Sequence, residues 1–91
     1  MSMGKLMGFY TVFSRSNCQW CDLTVEDLYS VGERPIIHMV DKDHALRTLL
    51  LMAGLKTVPQ VFSPEGYHIG GYSDLVDYLV NKEEDDSDDP Y

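Results

Sequence analysis

Hydrophobic and polar positions alternate along this chain in two periods, and the switches between them mark seven elements. The run Gly8-Phe9-Tyr10-Thr11-Val12-Phe13 is aromatic and β-branched, which suits a pleated, buried strand. A polar loop, Ser14-Arg15-Ser16-Asn17, follows it. From Gln19 onward Cys21, Thr24, Leu28 and Val31 recur at helical spacing, and Gly32 is placed to stop that helix. Pro35-Ile36-Ile37-His38-Met39-Val40 then predicts a second strand, with the proline at its start, where a missing N–H does least harm. Asp41 and Asp43 offer N-caps for a second helix, in which Leu46, Leu49, Leu50 and Ala53 form an i, i+3, i+4, i+7 stripe ended by Gly54. Pro59 to Ser63 and Tyr67 to Gly70 read as two short strands joined through Pro64-Glu65-Gly66. Tyr72, Leu75, Val76 and Leu79 predict a third helix ending near Lys82, with Ser73 and Asp74 in its first turn.

The order βαβαββα constrains the topology. A βαβ unit demands parallel strands with a right-handed crossover, and the hairpin adds two antiparallel ones. The expected architecture is therefore α/β, a four-stranded mixed sheet with three helices on its two faces.

Charge divides the chain. The formal net charge is −8, but six of the acids lie among the last nine residues, and residues 1–82 carry seven basic and nine acidic side chains. We expect one domain over 1–82 and an acidic, disordered tail over 83–91, where no apolar period continues. Nothing resembles the basic stripe of a nucleic-acid binder. No apolar run approaches the length of a membrane span, and Met1 to Met7 lacks an apolar leader segment, so the expected setting is the cytoplasm.

The candidate chemistry lies where the first strand meets the first helix. Cys18 just ahead of the helix faces free N–H groups and the positive end of the helix dipole, both of which favour thiolate. Cys21, nearly one turn further on, is placed to attack a mixed disulfide formed on Cys18. We expect Cys18 as nucleophile and Cys21 as resolving thiol, with Arg15 adding positive charge nearby. A zinc half-site is the competing reading of Cys-x-x-Cys. It requires two further ligands, and His38, His44 and His68 fall in different elements at no common zinc spacing, so no metal is expected. An inert buried pair is disfavoured by the polar loop that introduces it.

Three segments together resemble a known family. Cys18-Gln19-Trp20-Cys21, Thr57-Val58-Pro59-Gln60-Val61-Phe62 and Gly70-Gly71-Tyr72-Ser73-Asp74 look like the three motifs of glutaredoxins, in order, within a match over residues 8–82. The run from Phe62 to Gly71 particularly resembles phage-encoded thioredoxin/glutaredoxins, which would place the protein in a host cytoplasm. The resemblance implies the thioredoxin-like fold, a cis Val58-Pro59 bond, and glutathione as reductant or co-substrate. It implies a glutathione site formed by Arg15, Thr57, Val58, Pro59, Gly71, Ser73 and Asp74. Val58 would pair with the cysteinyl backbone, and Ser73 and Asp74 would hold the γ-glutamyl end; a trans proline and a simple helix cap are the plainer readings of these residues. Two positions depart from the family pattern. Gln19 and Trp20 stand where many dithiol members have Pro and Tyr, and the second-helix position that often holds the glycyl carboxylate falls at Leu46, beside Arg47.

The expected function is a glutathione-dependent dithiol oxidoreductase, monomeric, acting on disulfide-containing client proteins and glutathione mixed disulfides. The alternative within the same chemistry is a thioredoxin-like electron donor, for example to ribonucleotide reductase, reduced by a flavoprotein reductase. A redox-inactive interaction module is a third reading, opposed by the intact cysteine pair.

Overall fold

The computed structural model describes residues 8–87, with side chains from 8 to 81. Strand β1 (Thr11–Ser14) leads into helix α1 (Gln19–Ser30), strand β2 (Ile36–Met39) and a short 3-10 turn (Val40–Lys42). Helix α2 (His44–Met52), strands β3 (Gln60–Phe62) and β4 (His68–Gly70) and helix α3 (Tyr72–Ser87) complete the chain. The sheet order is β2-β1-β3-β4, with β1 parallel to β2 and antiparallel to β3, and β3 antiparallel to β4. This is the four-stranded mixed sheet expected from the element order, in the thioredoxin-like arrangement that the motif resemblance implied.

One face of the sheet supplies the core. Val12 of β1 lies opposite Ile37 of β2 and Val61 of β3, so the period of two turns these residues to the same side. Tyr10, Val12 and Val61 pack with Leu28 from α1 and Leu75 from α3, and Val25, Ile69, Tyr78 and Leu79 close around them. Burial pushes the Tyr10 phenol up to about 12, helped by the neighbouring Tyr78. Helices α1 and α3 are thereby fixed against the strands that carry the two motif loops.

Punctuation falls where the sequence sets it. Gly32, Gly54 and Gly66 all take positive φ, ending α1, ending α2 and turning the hairpin. The Ser63 hydroxyl accepts the N–H groups of Glu65 and Tyr67, which holds the Pro-Glu-Gly turn closed.

Five details differ from expectation. The first strand occupies Thr11–Ser14 rather than Gly8–Phe13, because those four residues pair with β2 and Thr11 to Phe13 pair with β3 as well. Val40 leaves the second strand for the 3-10 turn. In α2 the inward side is Leu46 and Leu50, both half-buried, whereas Leu49 is 61% exposed and Ala53 is exposed, so the four-residue stripe is only half used. Asp43 alone caps α2, accepting the Leu46 N–H at 3.1 Å, while Asp41 turns elsewhere. Helix α3, finally, runs to Ser87 and not to Lys82: Glu83 to Asp86, expected in a disordered tail, continue its helical backbone. Adding a residue to an existing helix is far cheaper than nucleating one, and glutamate is a good helix former, so the end of the apolar period does not mark the end of the helix. Residues 88–91 of the expected tail lie outside the described residues. Among the described residues no helix is long and apolar enough to cross a membrane.

Candidate active site

The site is assembled on the loop between β1 and α1. Asn17 takes a left-handed backbone, φ +55°, which asparagine tolerates better than most residues and which turns the chain sharply into the helix. Cys18 is thereby the N-cap of α1. Its sulfur accepts the Cys21 N–H at 3.2 Å, as a serine oxygen would in an ordinary cap. Cys18 and Cys21 are joined as a disulfide with Cα atoms 5.2 Å apart. Cys21 is wholly buried and Cys18 retains 5% exposure, so the outer sulfur is the one solvent reaches. Thr24, one turn further along α1, is also wholly buried, and its hydroxyl donates to the Trp20 carbonyl at 2.8 Å.

The loop is tied from outside its own element. The Ser16 N–H donates to the Asp41 carboxylate in the 3-10 turn at 3.2 Å. Hydrogen bonds from Ser16, side chain first and backbone second, hold the Asp41 carboxyl below its usual range.

Two hollows flank the cysteine loop and share Thr57 and Val58. The first, about 390 Å³, is lined by Arg15, Val40, Arg47, Leu50, Leu51, Leu55, Lys56, Thr57 and Val58. The second, about 300 Å³, is lined by Trp20, Thr57, Val58, Pro59, Gly71, Tyr72 and Ser73. The Val58-Pro59 bond is cis, as the motif implied. Among the described residues neither the N–H nor the carbonyl of Val58 has a backbone partner. A half-buried residue with both backbone groups unused is a ready edge for an added strand.

The sequence-predicted residues therefore converge. Arg15, Thr57 and Val58 meet in the first hollow, and Thr57, Val58, Pro59, Gly71 and Ser73 in the second. Asp74 stands just outside. Its carboxylate accepts the Gly71 N–H at 3.2 Å, so it caps α3 from the third position and leaves its second oxygen available. The cap reading and a ligand-binding reading of Asp74 are thus compatible. His38, His44 and His68 lie apart from the cysteines in sequence and in role: His38 stacks on Phe13, and His68 reaches the Gln60 amide at 2.8 Å. Among the described residues no group of three or more His, Cys, Asp or Glu side chains converges.

Sequence reasoning gave no role to Arg47, Lys56 or Tyr72's ring. Arg47 and Lys56 join Arg15 in the first hollow, which gives that end three cations. The adjacency of Arg47 to Leu46 and of Lys56 to Thr57 was the available signal. Tyr72 lies against Trp20 with ring centroids 5.5 Å apart, forming an aromatic wall on the second hollow. A hydrogen bond to Asp27, then burial, raises the Tyr72 phenol above its ordinary value.

This geometry is shared with known proteins. Residues 10–69 match the glutaredoxin family profile. No curated protein sequence matches the chain. Among solved structures, a buckwheat glutaredoxin–glutathione complex superposes with TM-score 0.71 at 28% identity, covering 84% of this chain and 72% of that one. A dithiolic glutaredoxin from Trypanosoma brucei brucei gives 0.68 at 29% identity over 92% of this chain and 90% of its own. A glutaredoxin from Populus tremula x tremuloides gives 0.70 at 29% identity, over 84% and 71%. With a Cys-x-x-Cys disulfide at the start of α1, and a family match over most of the folded chain, this protein is a thiol–disulfide oxidoreductase belonging to the glutaredoxin family.

Proposed function

We propose that the protein is a dithiol glutaredoxin that uses glutathione, reducing glutathione mixed disulfides and the disulfides of client proteins. The observation that carries this reading is the pair of hollows meeting at Val58. A glutathionyl cysteine laid along the free Val58 backbone has its glycyl carboxylate over Arg15, Arg47 and Lys56 and its γ-glutamyl end at Gly71, Ser73 and Asp74. Arg47 fills the part that Leu46 leaves empty. The solved complex of a 28% identical glutaredoxin with glutathione supports the same direction.

In the reduced protein the Cys21 N–H and the start of α1 stabilise a Cys18 thiolate. That thiolate attacks a client disulfide, forming a mixed disulfide and expelling one client thiolate. Cys21 then attacks the Cys18 sulfur, releasing the second client thiol and leaving the Cys18–Cys21 disulfide. Two glutathione molecules return the dithiol, ending as glutathione disulfide. A glutathionylated client needs Cys18 alone, because a second glutathione discharges the adduct. A reducing cytoplasm, a monomeric state and clients such as ribonucleotide reductase belong to this proposal, as does a phage setting, which rests on the motif resemblance.

The test compares turnover of a glutathionylated peptide, recycled by glutathione and glutathione reductase, with turnover driven by thioredoxin reductase. Glutathione-driven turnover should dominate. Exclusive use of thioredoxin reductase would overturn the glutathione assignment in favour of a thioredoxin-like donor.

A further inference from the structure

Resting on the groove proposed above, we infer that its two ends are oppositely charged and that it selects protein clients by charge order, favouring a cysteine preceded by basic residues and followed by acidic ones. The first hollow carries Arg15, Arg47 and Lys56 on a floor of Leu50, Leu51 and Leu55. Asp41, which follows Val40 of that lining, is engaged by the Ser16 N–H. The second hollow has no cation in its lining and has acids beside it. Asp74 holds the Gly71 N–H with one oxygen, and Asp27 and Glu26 lie close enough to Tyr72 to act on its phenol.

Glutathione is too short to use all of this. One carboxylate satisfies one cation in a bidentate pair, whereas three cations line the first hollow. Residues beyond the client cysteine can meet the rest. The chain direction fixes which residues those are. The backbone runs from Lys56 and Thr57 in the cationic hollow to Pro59 in the other. An antiparallel added strand, the more stable pairing, lays its C-terminal side over the cations and its N-terminal side toward Tyr72 and Asp74. At about 3.3 Å per residue, side chains two positions either side of the cysteine reach the two hollows. Matched charges there raise the encounter rate and fix register, and mismatched ones repel at both ends together.

The experiment uses the full-length reduced protein in single turnover with two peptide disulfides of identical composition, the symmetric dimers of Lys-Lys-Cys-Glu-Glu and Glu-Glu-Cys-Lys-Lys, with blocked ends. Each dimer is reduced to two thiols while Cys18 and Cys21 become the disulfide, so atoms and electrons balance without added glutathione. Reaction of both dimers with dithiothreitol corrects for intrinsic reactivity, and glutathione disulfide serves as the reference oxidant. The basic-first peptide should react about tenfold faster at low salt, and the ratio should fall below about twofold near 0.5 M salt. The double variant Arg47→Glu with Lys56→Glu should abolish the preference or invert it.

Equal rates for the two peptides, with glutathione disulfide still reacting well, would overturn the charge-order inference and leave the glutathione groove standing. A preference for the acidic-first peptide would overturn the antiparallel placement. Glutathione disulfide reacting no faster than the acidic-first peptide would instead count against the groove itself.

Discussion

The Ser16 N–H donates to the Asp41 carboxylate over 3.2 Å, joining the loop before Cys18 to the turn after β2 across 25 positions of sequence. Two loops at the same end of the parallel pair β1 and β2 are clasped by one exposed charge. Asp41→Ala should therefore loosen the cysteine loop without unfolding the sheet. Amide exchange at Ser16 should rise about tenfold in Asp41→Ala and stay near the parent value in Asp41→Asn, which keeps an acceptor. The depressed carboxyl fixes the sign with pH. The clasp is present above the ordinary carboxylate range and is lost as pH falls through the lowered value.

The cysteines should divide their labour by exposure. Alkylation of the reduced protein, resolved by mass across pH, should label Cys18 first and with a pKa below that of a free thiol, since Cys18 sits at the helix start and Cys21 is fully buried. Labelling of Cys21 first would reverse the assigned roles.

Cys21→Ser separates the two reactions. The variant keeps Cys18 and both hollows, so turnover of glutathionylated substrate should stay within about threefold of the parent, while reduction of a protein disulfide should fall more than about tenfold with the client trapped on Cys18. Loss of both activities in a folded variant would remove the glutathione route.

Gly70 is held at φ +124°, and a Cβ there would strike the Asp74 carboxylate. Gly70→Ala should cost about 1–3 kcal/mol in denaturant unfolding, partly backbone strain and partly displacement of Asp74. Adding Asp74→Ala removes the side chain in the way. The double variant should then lose less stability than the two single losses combined, and simple additivity would show that the carboxylate is not in the path.

Tyr10 sets an alkaline limit. Its folded value of about 12 lies above the ordinary 10.0, so its contribution is complete below pH 10 and is lost as pH rises toward 12. Tyr72 and Tyr78 are shifted the same way and add to that decline. Thermal unfolding of Tyr10→Phe should show a shallower fall over this window than the parent. An unchanged slope would mean that the other two phenols carry it.

What the sequence determined by itself is local and periodic. The alternation from Thr11 to Phe13, the helical spacing of Cys21, Thr24 and Leu28, and the glycines at 32, 54 and 66 act through backbone preferences and one-sided burial. They were enough for the element order, the four-stranded mixed sheet and the place of the cysteine pair at a helix start. The extent of α3 was not legible, because helix propagation past Lys82 needs no buried side chain. Nor could periodicity choose which leucines of α2 face inward, since Leu46, Leu49 and Leu50 satisfy the same spacing and only the neighbouring elements select Leu46 and Leu50. The sites assembled from distant positions belong to tertiary structure alone. Arg15, Arg47 and Lys56 share one hollow, and Trp20 meets Tyr72, because the sheet order β2-β1-β3-β4 brings Arg15 and Trp20 to segments more than thirty residues further along the chain. A charge or a ring has no period along the chain, and its partner is fixed only when the core of Tyr10, Val12, Leu28, Val61 and Leu75 sets the distance between them.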